Sequence, residues 1–490
     1  MIQIINATLA VTSTKQQALS LVIAPPFLKH FGGPLAGPAY LKGAGERVGH
    51  KVDVLDLNQL WIGERINMIH RSGTIKGDHD KPSIELNRIF KEWLSMLAGQ
   101  WSHKLEESDY DRKLVALYST NEEIENCAEN LCGSSFGRWV LEILSKHQRP
   151  DIIGLSVMFS GQVIAALAIT SLVKQKWPGV KVVWGGAHVT ALAGKIANNL
   201  SYGKFVDGFV EGYAEQTWVE LLNSVASSQP WPKEVFRAGS RNFRAKEDPK
   251  TVPSFNIKDK TDYDLTLPLQ VSRGCAYGKC NFCTYPKIEG NYRKLSIATI
   301  EPVIDQAEKL DAVISFKDSL LVPTQLVEVA NHINGRVKWS ACTKLHTSFD
   351  KQKMLDLASK GLRTLEIGLE TLDADTQQLI NKKQSRELFN TFLDAAEFSG
   401  IAVVINYMTG LPGANPIEEQ KWFEYVKMEV SKRPNLKARI EHNTFQLELL
   451  SEIGRNPEKY NIQIIAEWPW STLLEFRITN SLINQFQIQN

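Results

Sequence analysis

The stretch RGCAYGKCNFCTYP, residues 273–286, places three of the chain's six cysteines within nine positions. It follows LPLQVS (267–272), an apolar run that reads as a strand, so the cysteines fall on a loop leaving a strand's C-terminal end. Beyond the loop the pattern alternates. Candidate strands AVISFKD (312–318), VKWSACT (337–343), RTLEIGLE (363–370), AVVINYM (402–408) and ARIEHNTF (438–445) are separated by helical patterns at 298–309, 322–333, 350–360, 385–399 and 416–430. Strands alternating with helices predict a partial (β/α)6 barrel of the TIM type over 265–455, with its site at the C-terminal strand ends.

Upstream, ALSLVIAPP (18–26), a helical stretch at 35–48 and KVDVLDLN (51–58) read as the start of a doubly wound parallel sheet. DIIGLSVMFSG (151–161), VKVVWGGAHV (180–189) and FVDGFVEG (205–212) continue it, with helices at 162–175 and 214–225. The fold class is therefore α/β, with a Rossmann-like domain over 1–240 and the barrel behind it. Residues 60–150 carry a helical pattern without a sheet signal and are expected to form an insertion. A proline- and charge-rich stretch makes 241–264 the linker, and 456–490 is expected to be a packing appendage. GAGERVG (43–49) precedes a strand instead of joining a strand to a helix, so its glycines predict a helix end at Gly49 and not a dinucleotide loop.

Composition narrows the function classes. A net charge of +2 over 490 residues gives no electrostatic case for a nucleic-acid or membrane partner. No apolar run approaches the roughly 20 residues that span a bilayer, and the opening residues do not read as a signal peptide. Six cysteines in so long a chain are not a disulfide framework, so a reducing cytoplasm is the expected location.

Three thiols admit three readings. Structural zinc wants four ligands, and no nearby cysteine or histidine supplies the fourth. Chance clustering of buried cysteines fits poorly with a glycine-bearing loop after a strand. The third reading is a four-iron–four-sulfur cluster held by Cys275, Cys280 and Cys283, with its fourth iron open to a ligand's amine and carboxylate.

The loop resembles that of the radical S-adenosylmethionine (SAM) enzymes, whose signature is C-x3-C-x2-C with an aromatic before the last cysteine. Here the spacing is C-x4-C-x2-C, one residue longer among Tyr277 to Lys279, and Phe282 is the aromatic. GNYRKLS (290–296), FKDS (316–319), EIGLETLD (366–373), LINKKQSRE (379–387) and GLPG (410–413) follow in the family's order. The resemblance implies reductive SAM cleavage to methionine and a 5′-deoxyadenosyl radical, with Phe282, Gly368, Glu370 and Asp318 at the SAM site. A strand-end glutamate such as Glu370 suits acceptance from hydroxyls or an ammonium.

GLSVMFSG (154–161), VVWGGAHVT (182–190) and FVDGFVEGYAEQTWVELL (205–222) resemble the cobalamin-binding domain that precedes the barrel in one radical SAM subfamily. That resemblance implies that Ser156, Gly185, Gly186 and Gly212 face the corrin or its tail. There is no D-x-H-x-x-G motif, and His188 matches a loop position instead of a lower cobalt ligand. Cys342 is expected to be a packing residue, and Cys127 and Cys132 receive no role.

The expected activity is cobalamin-dependent methyl transfer to a peptide or natural-product intermediate, using SAM twice. Radical cyclisation, rearrangement or oxidation, with or without cobalamin, is the alternative. A non-catalytic iron–sulfur protein is a lesser one, and a zinc-binding interaction module is weaker still. The expected partners are a small-molecule or peptide substrate and an electron donor such as flavodoxin or ferredoxin.

Overall fold

The computed structural model describes residues 17–26, 33–63, 120–257 and 265–479. The expectations for 1–16, 64–119 and 480–490 lie outside them.

The first sheet holds β1 (Leu19–Ala24), β2 (Lys51–Asp56), β3 (Ile152–Ser156), β4 (Lys181–Gly185), β5 (Gly208–Val210) and β6 (Val235–Phe236) in the order β2-β1-β3-β4-β5-β6. All pair in parallel except β6, near the end of the first domain, which adds antiparallel to β5. Helices cover both faces, so β1 and β3 are buried along nearly their whole length and read as continuous apolar runs. Helix Val163–Lys176 packs against helices Asn121–Gly133 and Ser135–Ser145, which explains why it is apolar on nearly every side. Helix Ala36–Arg47 ends as expected, the Gly49 N–H donating to the Glu46 carbonyl at 3.0 Å. The chain passes from β1 to β2 on one side and to β3 on the other. This strand-order reversal opens a crevice at the C-terminal strand ends.

The second sheet is an open barrel. β7 (Thr266–Leu269) is followed by a short hairpin of β8 (Ser272–Arg273) and β9 (Arg293–Lys294). Then come β10 (Val313–Phe316), β11 (Lys338–Thr343), β12 (Leu362–Glu370), β13 (Ala402–Thr409) and β14 (Ala438–Thr444). The parallel order is β14-β13-β12-β11-β10-β7. Leu267, Ile314, Trp339, Leu365, Ile367 and Ile405 are buried against the helices. By strand alternation Ser315, Cys342, Glu366 and Asn406 turn to the lumen.

Within the segment expected as an appendage, β16 (Ile462–Glu467) and β17 (Leu473–Ile478) form a three-stranded antiparallel sheet with β15 (Leu447–Glu448), which lies in the stretch assigned to the barrel. The sheet's 468–471 loop reaches back to the first domain. The Trp470 ring packs on Tyr202 and Trp184 at centroid distances of 4.6 and 5.6 Å. Lys195 donates to the Trp468 and Ser471 carbonyls at 3.0 and 3.1 Å. No helix of the described residues is long and apolar enough to cross a membrane.

Candidate functional site

The cysteine loop is rooted from both domains. Gln270 N donates to the Tyr40 hydroxyl of the first domain at 3.2 Å. The Arg273 guanidinium is 1% exposed, lies 4.0 Å over the Tyr213 ring, and pairs with Glu215 and Glu247. Asp318, at the end of β10, accepts from Val271 N at 3.1 Å, Ser272 N at 2.5 Å and Ser272 Oγ at 2.6 Å. Burial pushes its carboxyl up to about 7 against the pull of those donors. Gly274 stands at φ +72°, and a Cβ there would meet the Gly290 carbonyl at 2.6 Å. Only glycine fits this approach of the hairpin's two strands.

Cys275, Cys280 and Cys283 are all half-buried on the turn that follows. The longer first spacing is tied to the 379–381 turn. The Tyr277 hydroxyl donates to Asn381 O at 2.5 Å, Asn381 Nδ2 to Lys279 O at 3.0 Å, and Asn281 N to Ile380 O at 3.0 Å. Burial pushes the Cys280 thiol up to about 11 and the Cys283 thiol to about 12, and the charge on the neighbouring sulfurs adds to both. Thiols so placed are neutral until a cation draws off their protons. Among the described residues no three Cys, His, Asp or Glu side chains converge as a single-ion site. Thiolates on a shared cluster each bind a different iron and need not converge, so the donor set fits a cluster.

The lumen beside the loop carries a buried ion pair. Glu370 is 8% exposed and held at φ +62°, past a register shift between β12 and β13. Lys382 Nζ donates to its Oε1 at 2.7 Å, and among the described residues its second oxygen accepts nothing. A Cβ on Gly368 would stand 2.4 Å from Lys382 Nζ, so that glycine makes room for the pair. Lys382 also lies 6.0 Å from the ring of Phe282, which packs with Ile380, Leu411 and Phe445. Lys382 lies in LINKKQSRE (379–387) and was not among the residues expected at the site. Its only signal was a lysine twelve residues after a strand-end glutamate. Cys342 is half-buried on the lumen face of β11, where burial and the charge of Glu366 push its thiol up to about 12. It thus faces the lumen. Asn406 Nδ2 donates to Glu366 Oε1 at 2.7 Å on the same face.

The first domain turns its strand ends toward this mouth, because helix Ala187–Ala197 packs against helix Tyr285–Glu289, which directly follows Cys283. Ser156 ends β3 and is buried. Gly185 ends β4, with the nearest atom 3.9 Å from where its Cβ would stand. Gly186 has φ +104°, and a Cβ would meet the Val157 carbonyl at 2.4 Å, so its lack of a side chain serves the close turn. The space in front of Gly212 is taken by Arg244, whose Nε lies 3.1 Å from its Cβ position. Gln162 is fully buried at the crevice. It donates to Pro25 O at 2.6 Å and accepts from Met158 N at 2.7 Å, joining the ends of β1 and β3. His188 Nε2 donates to the Trp470 carbonyl at 3.0 Å, and burial pushes its pKa down to about 4. That nitrogen is committed to the carbonyl.

Comparison with known proteins bears on both domains. The Radical SAM superfamily model matches residues 269–426, and the B12 binding domain model matches 138–222. No curated protein matches by sequence. Among solved structures, the radical S-adenosylmethionine methyltransferase TsrM from Kitasatospora setae, with cobalamin and a [4Fe-4S] cluster bound, is 14% identical with a TM-score of 0.58. The match covers 94% of this chain and 83% of that one. The cobalamin-dependent S-adenosylmethionine radical enzyme OxsB, with aqua-cobalamin bound, is 13% identical with a TM-score of 0.62, over 95% of this chain and 65% of that one.

Proposed function

We propose, from the premise that this chain belongs to the radical SAM superfamily and carries a B12-binding domain ahead of its barrel, that it is a cobalamin-dependent methyltransferase. Its substrate would be a peptide or natural-product intermediate methylated at an unactivated carbon. The carrying observation is the facing of two sites: the three half-buried thiols of the barrel mouth and the C-terminal strand edge of the first domain.

Cys275, Cys280 and Cys283 would hold the cluster, which supplies the electron for SAM cleavage when bound. Phe282 offers an apolar wall for the adenosyl part, Gly368 the room, and Glu370 an acceptor for a hydroxyl or ammonium. Asp318 would act on SAM through the loop, since its oxygens are occupied by Val271 and Ser272. Ser156 and Gly185 would face the corrin at the crevice, with Gly186 shaping the turn beside it and Gly212 the strand end opposite. Helix packing between the domains would keep water from the space they share.

Radical cyclisation, rearrangement or oxidation without cobalamin is the second reading, and one observation favours it. Arg244 fills the space before Gly212 and donates to Lys287 O at 3.2 Å, closing part of the edge a corrin would use.

The test is refolding with hydroxocobalamin followed by removal of the unbound corrin. The methyltransferase reading expects a retained corrin absorption band and, after reduction, SAM turnover to both S-adenosylhomocysteine and 5′-deoxyadenosine. A chain that makes 5′-deoxyadenosine and retains no corrin is the second reading's enzyme.

A further inference from the structure

At the β6 edge of the first sheet lies a cleft of about 890 Å³. It opens at the N-terminal strand ends, opposite the crevice: Lys181 begins β4, Asp207 directly precedes β5, and the antiparallel β6 brings Phe236 to the same end. Its apolar wall includes Trp231, Phe236 and Leu200, the last 78% exposed. Gly239 makes room for that leucine, since a Cβ there would meet Leu200 Cδ2 at 2.5 Å. The charges on the cleft are one-sided. Lys181, Lys233, Arg237 and Arg241 are exposed on it, against a single acid, Asp207. That acid is already engaged, with Lys181 and Lys174 donating to its two oxygens at 3.0 and 2.9 Å. Lys233, Arg237 and Arg241 have no carboxylate partner among the described residues. Lys233 Nζ and the Arg241 guanidinium carbon lie 5.1 and 4.9 Å from the centroid of the same Phe243 ring. One ring thus gathers two like charges, which repel until an anion joins them.

We propose that this cleft docks an acidic segment of a peptide substrate, remote from the residue that is methylated. The inference rests on the peptide-methyltransferase reading and names the feature by which the substrate is chosen. A small molecule held at these strand ends would be on the wrong side of the sheet from the crevice, whereas an extended chain can span the two. The sheet edge supplies the route. Ala245 N donates to Glu211 O at 2.8 Å just past the C-terminal end of β5. Arg244 donates to Lys287 O at 3.2 Å, in the helix that follows Cys283. From Arg241 to Arg244 the chain spans at most about 10 Å, so a segment running beside it would pass from the cleft to the barrel mouth. Arginine forks pair with carboxylates, and arginine clusters recognise acidic motifs. Leu200 and Trp231 offer contact to apolar side chains of the same segment. Nucleic acid fits less well, because a few cations in one cleft of a chain with a net charge of +2 make no track for a phosphate backbone.

The test is fluorescence anisotropy of the full chain with a fluorescein-labelled peptide of alternating glutamate and leucine, beside its lysine–leucine counterpart and a labelled oligothymidylate. The wild type should bind the acidic peptide in preference to both, and the affinity should fall as salt shortens the Debye length below about 10 Å. The double variant R237E/R241E should bind it about ten-fold more weakly, and the neutral R237Q/R241Q should fall between. Both arginines are exposed, so the variants should keep the wild-type denaturation midpoint and rate of SAM cleavage. Equal peptide affinity in the wild type and both variants would overturn the docking cleft. So would tighter binding of the oligothymidylate through the same arginines, which would assign the cleft to nucleic acid. Peptide binding needs no cofactor, so these arms decide the cleft by themselves. A chain that retains no corrin would instead end the methyl-transfer reading on which the substrate role stands.

Discussion

Glu370 carries two costs at one residue: a left-handed backbone at φ +62° and a carboxylate buried to 8% exposure. Non-glycine residues held there cost about 1–3 kcal/mol and persist where surrounding structure over-determines them. Here Lys382 answers the charge, and Gly368 gives way to the pair. Breaking a buried pair by removing one partner strands the other, at about 3–5 kcal/mol. Glu370→Gln and Lys382→Met should therefore each lower stability by roughly that amount, while the double variant loses less than either alone. Urea denaturation of the four proteins reads the coupling; additive losses would mean that the two charges do not depend on each other. The glutamate was legible in the sequence as a strand-end acceptor. Its partner was not, because no periodicity links position 370 to a lysine in the turn beyond the next helix.

At the scale of elements, the strands and helices of both sheets were legible because their residues obey local rules. The barrel strands alternate buried and lumen-facing residues, as in VISF and KWSACT, and the helices between them carry apolar stripes. What local rules could not reach is the rooting of the cysteine loop. Arg273 reads as one more polar residue, yet it is nearly inaccessible to solvent and paired with Glu215, 58 positions earlier. Asp318 was read as part of the SAM site. The hydrogen bonds it accepts from Val271 and Ser272 make it, in addition, a clamp between the ends of β7 and β10. The segment from 456 looked like packing material, because its strand β17 pairs with β15, only two residues long and outside that segment. Such pairings depend on where distant segments meet, which composition and period do not encode.

Across the whole molecule, the 468–471 loop is a latch between the last sheet and the first domain, and His188 is its buried contact. The folded imidazole has a pKa near 4, against about 6.5 when unfolded, so only the unfolded chain takes up this proton as pH falls between those values. Stability from this group is therefore complete above about pH 6.5 and is lost progressively down to pH 4. Between pH 7 and pH 5 the loss should be about 2 kcal/mol. The variant His188→Gln, which keeps an N–H donor for the Trp470 carbonyl, should lack that part of the slope. Denaturant midpoints at the two pH values measure it; equal slopes for the two proteins would remove His188 from the account of acid sensitivity.

The central claim is that Cys275, Cys280 and Cys283 hold a four-iron cluster whose open iron takes SAM. It is tested most directly by iron content and 5′-deoxyadenosine formation in anaerobically reconstituted chains carrying each cysteine as alanine. The account predicts about four irons per wild-type chain and SAM cleavage on reduction, with iron depleted and cleavage abolished in every variant. Wild-type iron and undiminished SAM cleavage in the three variants would contradict it.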